Sequence, residues 1–327
     1  MPPRRKAASP SAPAAKKQKQ DTASPAKGAA ATDDRLEVPV IGGSVVYIGH
    51  DLLTKIPGEI TAKTSGIKAS RFVIVSDSNV LPLYGQKLID AFAAIGHTAI
   101  AFEVPAGEGS KSRQNKAAIE DFMLENRCQR DTCLLALGGG VVGDLTAYVA
   151  ATFMRGVPVV QIPTSMLAMI DSSVGGKTAI NVPAGKNMIG AFHQPIKVYA
   201  DLTLLASLPQ REIDEGLAEA IKMGLIRCAP LFDEMEEHVD AIRALETERV
   251  RSVVHRAVAL KAEVVAIDEK ETGLRGTLNF GHTVGHAIEA LASPNLCAHP
   301  PRPARARAPA RAHRHRPFVA IRKPAPR

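Results

Sequence analysis

The chain has no tryptophan, and only four tyrosines and nine phenylalanines among its 327 residues. So thin an aromatic complement excludes a base-stacking platform, in which rings interleave with basic side chains along a nucleic acid strand. The four cysteines (Cys128, Cys133, Cys228 and Cys297) form no Cys-x-x-Cys pair and no even framework. A disulfide-stapled fold is thereby excluded, and reduced thiols in a cytosolic-type protein are expected. No apolar run approaches the ~20 residues that a membrane-spanning helix needs. The N-terminus lacks the hydrophobic core of a secretory signal, and no internal repeat is visible.

What the chain does have is a formal charge of +8, unevenly spread. Residues 1–34 hold seven Lys/Arg against three Asp (+4), and residues 295–327 hold nine Lys/Arg and no acid (+9), leaving the body at −5. The basic character belongs to the two ends. Such end-pieces bind polyanions weakly and without specificity, so neither a specific nucleic acid partner nor a membrane partner is expected. Residues 1–35 read as a disordered basic leader; their Lys/Arg/Ala/Pro/Ser bias also suits a plastid address or a nuclear-type cluster. Cytoplasmic placement is the first expectation, and a plastid the alternative.

Order is expected from Leu36. Val45–Gly49, Arg71–Asp77, 98–103, Thr132–Leu137 and 157–162 read as strands. Helical spacing runs through 83–95, 115–125 and 145–154. This alternation predicts an α/β N-terminal domain with a wound, mostly parallel sheet, over residues 36–207. Beyond Leu208 the strand signal fades. Residues 211–228, 230–245, 248–268 and 281–291 read as helices, so residues 208–294 are expected to form an all-α second domain with a cleft beside the first. Residues 295–327, rich in Arg, Pro and Ala, lack an apolar period and are expected not to fold. Their bias matches that of GC-rich DNA translated out of frame.

Three segments carry chemistry. Gly138-Gly139-Gly140-Val141-Val142-Gly143-Asp144 lies between a strand and a helix and fits G-x-G-x-x-G, in which bare backbone N–H groups approach a pyrophosphate. The alternative is a plain tight turn. The following strand ends Gln161-Ile162-Pro163-Thr164 and brings no ribose-binding acid about 20 residues on; Asp77 can serve instead. A second cluster, Asp171-Ser172-Ser173-Val174-Gly175-Gly176-Lys177-Thr178 with Lys186-Asn187, is no P-loop, because Asp171 stands where its first glycine belongs. It reads as a flexible, donor-rich loop for a phosphorylated ligand, or as solvated lysines. Third, His282 and His286 stand one turn apart on a helical pattern, which suits a shared metal, a ligand plus a proton-transfer group, or a hydrogen-bonded core pair. Glu219 and Lys222, at i and i+3, are a surface ion pair or a ligand beside a substrate clamp. Lys261, Arg275 and Asn279 add donors near His282.

Taken in order, the glycine turn, the Asp171–Thr178 run and Asn279-Phe280-Gly281-His282 resemble 3-dehydroquinate synthase over roughly residues 36–294, in particular the synthase domain that opens pentafunctional arom proteins. The resemblance implies a Rossmann-like α/β domain followed by a helical one. It also implies an NAD- and zinc-dependent lyase that converts the sugar phosphate 3-deoxy-D-arabino-heptulosonate 7-phosphate to 3-dehydroquinate in the shikimate pathway, working as a homodimer. By matching motif it implies that Asp77, Asn79, Glu108, Lys111, Gly139, Gly140, Asp144, Thr164, Ser165 and Lys186 contact NAD. Asp171, Lys177, Asn187, Lys222, Lys261, Arg275 and Asn279 hold substrate, and Arg155 reaches the phosphate in the neighbouring subunit. Glu219 and His282 bind the metal, zinc or another divalent ion, while Glu271 and His286 serve proton transfer alongside Lys177 and Arg275.

The pattern departs after Pro294. Ala298 falls where the family's third zinc ligand belongs, and His299 is one place off, about 100° around a helix. Weak metal binding and impaired activity are the expectation. Other readings are a sister cyclase using another sugar phosphate, an iron-type polyol dehydrogenase, or a non-catalytic fragment. The dense cation set (Arg155, Lys177, Lys222, Lys261, Arg275) argues against a polyol, which carries no phosphate to neutralise.

Overall fold

The computed structural model describes residues 34–292. The expected leader and tail, with Ala298 and His299, lie outside the described residues.

Phe72-Val73-Ile74-Val75 and Cys133-Leu134-Leu135-Ala136-Leu137 are unbroken apolar runs, the signature of strands covered on both faces. They form the middle of a sheet. Among the described residues the strands are β1 (Leu36–Pro39), β2 (Val45–Gly49), β3 (Arg71–Asp77), β4 (Ala99–Val104), β5 (Thr132–Gly138), β6 (Val159–Pro163), β7 (Lys177–Val182), β8 (Gly185–Phe192) and β9 (Lys197–Asp201). Seven of these form one sheet in the order β1-β2-β9-β6-β5-β3-β4, parallel throughout except for the antiparallel edge pair β1–β2. The mostly parallel, Rossmann-like sheet is therefore present. Side chains alternate between two cores, Ile74, Leu135 and Leu137 in one, Val73, Val75, Leu134 and Ala136 in the other.

Helices α1 (Ile56–Thr61), α2 (Gln86–Ala94), α3 (Arg113–Glu125) and α4 (Gly140–Thr152) alternate with the strands. After β9 come α5 (Gln210–Arg227), α6 (Ala229–Glu237), α7 (Val239–Arg243), α8 (Thr247–Ile267) and α9 (His282–Ala292). The first core runs on without a break into this helical part, through Met166 and Met169 to Leu217, Ala220, Met223, Val253 and Ala257. α8 is thus held against β1 and β2, and α5 packs on α8 and on the 168–172 segment.

Four sequence expectations needed correction. The flexible loop read at 171–187 is in fact a β-hairpin, β7–β8, whose Ile180 and Ile189 pack in the second core, on the α4 side of the sheet. Helix α4 begins at Gly140 rather than 145, because three glycines at its start hide it from propensity. The single helix expected over 230–245 breaks at His238 (φ −123°, ψ 25°) into α6 and α7. Finally, β9 was missed: its five residues carry little pattern, and pairing with β2 and β6 on either side makes it a strand.

Candidate active site

In chain order β4 lies to one side of β3, whereas β5 and then β6 lie to the other. The strand order therefore reverses between β3 and β5, and an open parallel sheet binds ligands beyond the strand ends at such a point. Two sequence-singled features stand there: Asp77, ending β3, and the glycine turn that ends β5. Asp77 Oδ1 accepts the N–H groups of Asn79 at 2.9 Å and Val80 at 3.1 Å, which orders the exposed turn carrying Asn79. Gly139 is the N-cap of α4 and offers no side chain to the helix's first-turn donors. A Cβ at Gly140 would come within 2.9 Å of Ser172 Oγ, so a larger residue there would push that hydroxyl aside. Thr164 N–H donates to Gly138 O at 3.0 Å, and Ser165 Oγ accepts from Ala168 N–H, closing the turn from the β6 side. Bare donors at a thirteen-residue helix start suit a pyrophosphate.

From this turn a cavity of about 530 Å³ opens under the hairpin, bordered by Asp144, Asp171, Ser172, Lys177, Asn187 and Phe192. Lys111, 5% exposed, donates to Asp144 and to Asn187 Oδ1 at the back of it. Burial raises the Asp144 carboxyl above its usual range, and the Lys111 charge opposes this. Glu108 accepts from Asn181 Nδ2 at 2.7 Å, and Asn181 Oδ1 holds the N–H of Asn187, whose φ is +56°. Lys186 stands one residue before on β8.

The helical part reaches this cavity's border at Asp171. Lys261 Nζ lies 2.6 Å from Asp171 Oδ1 and also donates to the Asp171 carbonyl. Burial acts to raise Asp171, but Lys261, Lys222 and His282 outweigh it and hold the carboxyl below its ordinary range. Burial likewise lowers Lys261, opposed by Asp171. Lys222 pairs with Glu219 one turn earlier on α5. That pair engages Glu219 Oε2, so the carboxylate already faces the Lys222 ammonium. Among the described residues no group of three or more His, Cys, Asp or Glu could hold a metal. Glu219, paired with Lys222, and the half-buried His282, whose charge acts on Asp171, therefore do not complete a metal site by themselves.

Glu271 contacts Lys177 and accepts from Asn279 Nδ2 at 2.5 Å. Burial acts to raise its carboxyl; the hydrogen bonds of Lys177 and Asn279 prevail and lower it. Arg275, 2% exposed, donates to the carbonyls of Glu269 and Gly175, and burial lowers its pKa. Arg155 is apart from this assembly. It follows the C-terminal end of α4, roughly 20 Å of helix from the glycine turn, in a left-handed conformation (φ +71°) beside Met154 (φ +51°). His286 lies on α9, and its side chain is outside the described residues. Motif reading passed over Asp268, Glu269, Asn181 and Gln194, which tie these segments together. Only Asp268, with Thr272-Gly273 ahead of it, carried a signal, that of a side chain accepting backbone N–H groups. A second hollow of about 500 Å³, between α5, α6 and α7, is walled by Leu217, Ile221, Phe232 and Val239, with the Arg243–Asp214 ion pair on its border.

Residues 101–215 match the family model for the 3-dehydroquinate synthase N-terminal part, and residues 216–300 that for its C-terminal part. The 3-dehydroquinate synthase of Bordetella pertussis is 47% identical over 257 residues, covering 78% of this chain and 70% of that protein. The pentafunctional AROM polypeptide of Candida tropicalis is 44% identical over 276 residues, 79% of this chain; the chain spans only 18% of that polypeptide's length. Among solved structures, a 2-epi-5-epi-valiolone synthase from Streptomyces hygroscopicus, with NAD+ and Zn2+ bound, superposes with a TM-score of 0.69 at 31% identity. That match covers 77% of this chain and 69% of that one.

Proposed function

Because this chain belongs to the 3-dehydroquinate synthase family, we propose that it carries the family's reaction: a phosphate-eliminating lyase that takes 3-deoxy-D-arabino-heptulosonate 7-phosphate to 3-dehydroquinate in aromatic amino acid biosynthesis. One observation carries the reading. The α/β part presents a glycine turn at the sheet's switch point, and Lys177, Lys222, Lys261 and Arg275 gather around Asp171 and Glu271 directly beside it. A polyol oxidation needs no such concentration of cations; a sugar phosphate does.

In this reading residues 36–207 bind NAD and residues 208–294 bring the metal and most of the substrate contacts. NAD, when bound, supplies reversible oxidation at a substrate hydroxyl, and a divalent metal, zinc in this reading, polarises that oxygen. Gly139 and Gly140 receive the pyrophosphate, with Asp77 and Asn79 toward the ribose; Glu108, Lys111, Asp144, Thr164, Ser165 and Lys186 complete that side. Glu219 and His282 hold the metal. Lys261, Lys222, Asp171, Asn187, Asn279 and Arg275 orient the sugar and neutralise its phosphate. Glu271, kept ionised by Lys177 and Asn279, accepts a proton, and His286 passes one on. Arg155, remote from this site in its own chain, serves the neighbouring subunit of a homodimer. Among the described residues no helix is long and apolar enough to cross a membrane; we place the protein in the cytoplasm.

The test is phosphate release from the heptulosonate with NAD present, followed during a zinc titration. Release that requires NAD and rises with zinc is expected. Equal turnover of sedoheptulose 7-phosphate, or oxidation of glycerol in its place, would overturn the assignment.

A further inference from the structure

Helix α8 ends at Ile267, and its C-cap, Asp268, turns its carboxylate forward onto the loop that follows. Asp268 Oδ1 accepts the N–H of Thr272 at 2.8 Å and its hydroxyl at 3.2 Å. Oδ2 accepts the N–H of Gly273 at 2.7 Å and of Arg275 at 3.0 Å. Three backbone donors on one carboxylate close the segment from Asp268 to Arg275 into a compact loop.

That loop carries two groups of the site. Glu271 sits within it in a left-handed conformation (φ +58°), which a non-glycine residue holds only when its surroundings impose it. It is there that its carboxylate meets Lys177 and Asn279. Arg275 ends the loop, and its guanidinium returns to the Glu269 carbonyl. A lesser tie runs from Gln194 Nε2 to Glu269 Oε1 at 2.9 Å.

We propose that Asp268 is a positioning residue: by collecting the N–H groups of Thr272, Gly273 and Arg275 it holds Glu271 against Lys177 and turns Arg275 inward to the sugar-phosphate site. The proposal rests on the function given above for that site. The loop's N–H groups, Thr272's first, keep the Asp268 carboxyl down to about 2, so it accepts as an anion across the working pH range. Asparagine has the same shape but sets an NH₂ donor against one of these N–H groups and removes the charge, so the loop loses at least one anchor. Glutamate keeps the charge and misplaces it by one methylene.

The experiment is a double-mutant cycle of Asp268→Asn and Glu271→Gln in the full chain, with kcat and KM for phosphate release. Asp268→Asn is expected to lower kcat about 10- to 100-fold, the scale on which supporting partners of reactive groups act. In the Glu271→Gln background the same change should lower kcat several-fold less, the remaining loss coming through Arg275, because residues acting as a unit are not additive. Losses that simply multiply would overturn the proposal. A second readout needs no turnover. The side-chain carboxyl of Glu271, assigned in ¹³C NMR spectra by its absence from Glu271→Gln, should titrate at higher pH in Asp268→Asn as the Lys177 and Asn279 contacts loosen. An unchanged titration would also overturn the proposal. Should Asp268→Asn fail to fold, Asp268→Glu carries both readouts. If the unmodified chain releases no phosphate, the function above fails, and the Glu271 titration still decides the role of Asp268.

Discussion

At the scale of single residues, the buried pair of Asp171 and Lys261 sets the character of the site. Removing one partner of such a pair leaves the other charge uncompensated, which costs about 3 kcal/mol or more. Lys261→Met is expected to lower the unfolding free energy measured in urea by that amount, whereas Asp171→Leu with Lys261→Met should recover most of it. A double variant as unstable as the single one would contradict this. Asp268 gives a pH dependence with a definite sign. Its folded-state pKa of about 2 lies below the ordinary carboxylate value near 3.9. Its contribution to stability is thus present above pH ~4 and is lost as pH falls from ~4 towards ~2. Denaturant midpoints measured across that interval should fall less steeply in Asp268→Asn than in the unmodified chain. Legibility at this scale followed charge and motif: Gly139, Asp171, Lys177 and His282 stand in runs whose composition is unusual. Gln194 does not, because a single side-chain contact to Glu269, distant in sequence, writes nothing into the residues around it.

At the scale of elements, the contact that places Glu219 and Lys222 is the approach of α5 to the 165–172 segment. A Cβ at Gly216 would lie 2.5 Å from Met166 Cβ and 2.6 Å from Leu167 N, part of it backbone that cannot swing aside. Gly216→Ala is expected to cost about 1–3 kcal/mol by overpacking. It should also weaken zinc binding, since Glu219 rides on the same helix one turn later; calorimetry of zinc addition, beside thermal unfolding, checks both. The central strands were readable because burial on both faces makes them continuous apolar runs. The hairpin was not: Gly185, Lys186, Asn187 and Gly190 interrupt its alternation. The break at His238 likewise has no proline or glycine to announce it.

At the scale of the whole molecule, the proposed function puts a dinucleotide at the end of the sheet where the order switches between β3 and β5. NAD at one hundred times its Kd should stabilise the folded chain by about 2.7 kcal/mol. The rise in unfolding temperature on adding NAD is expected to shrink in Asp77→Ala; an equal rise would place the cofactor elsewhere. The division of charge, +4 and +9 at the ends and −5 between, leads to a second expectation. Retention of DNA by the full chain should be weak, indifferent to sequence and lost between 50 and roughly 200 mM salt.

The β7–β8 hairpin has one further consequence. Its start meets Glu271 through Lys177, and near its far turn Asn187 accepts from Lys111, which also donates to Asp144. One stiff ribbon therefore has a foot in each half of the cavity. A guest that shifts either foot must alter the welcome given at the other, and thermodynamic reciprocity makes the factor the same in both directions. Order of arrival then leaves the final occupancy unchanged, whichever guest comes first.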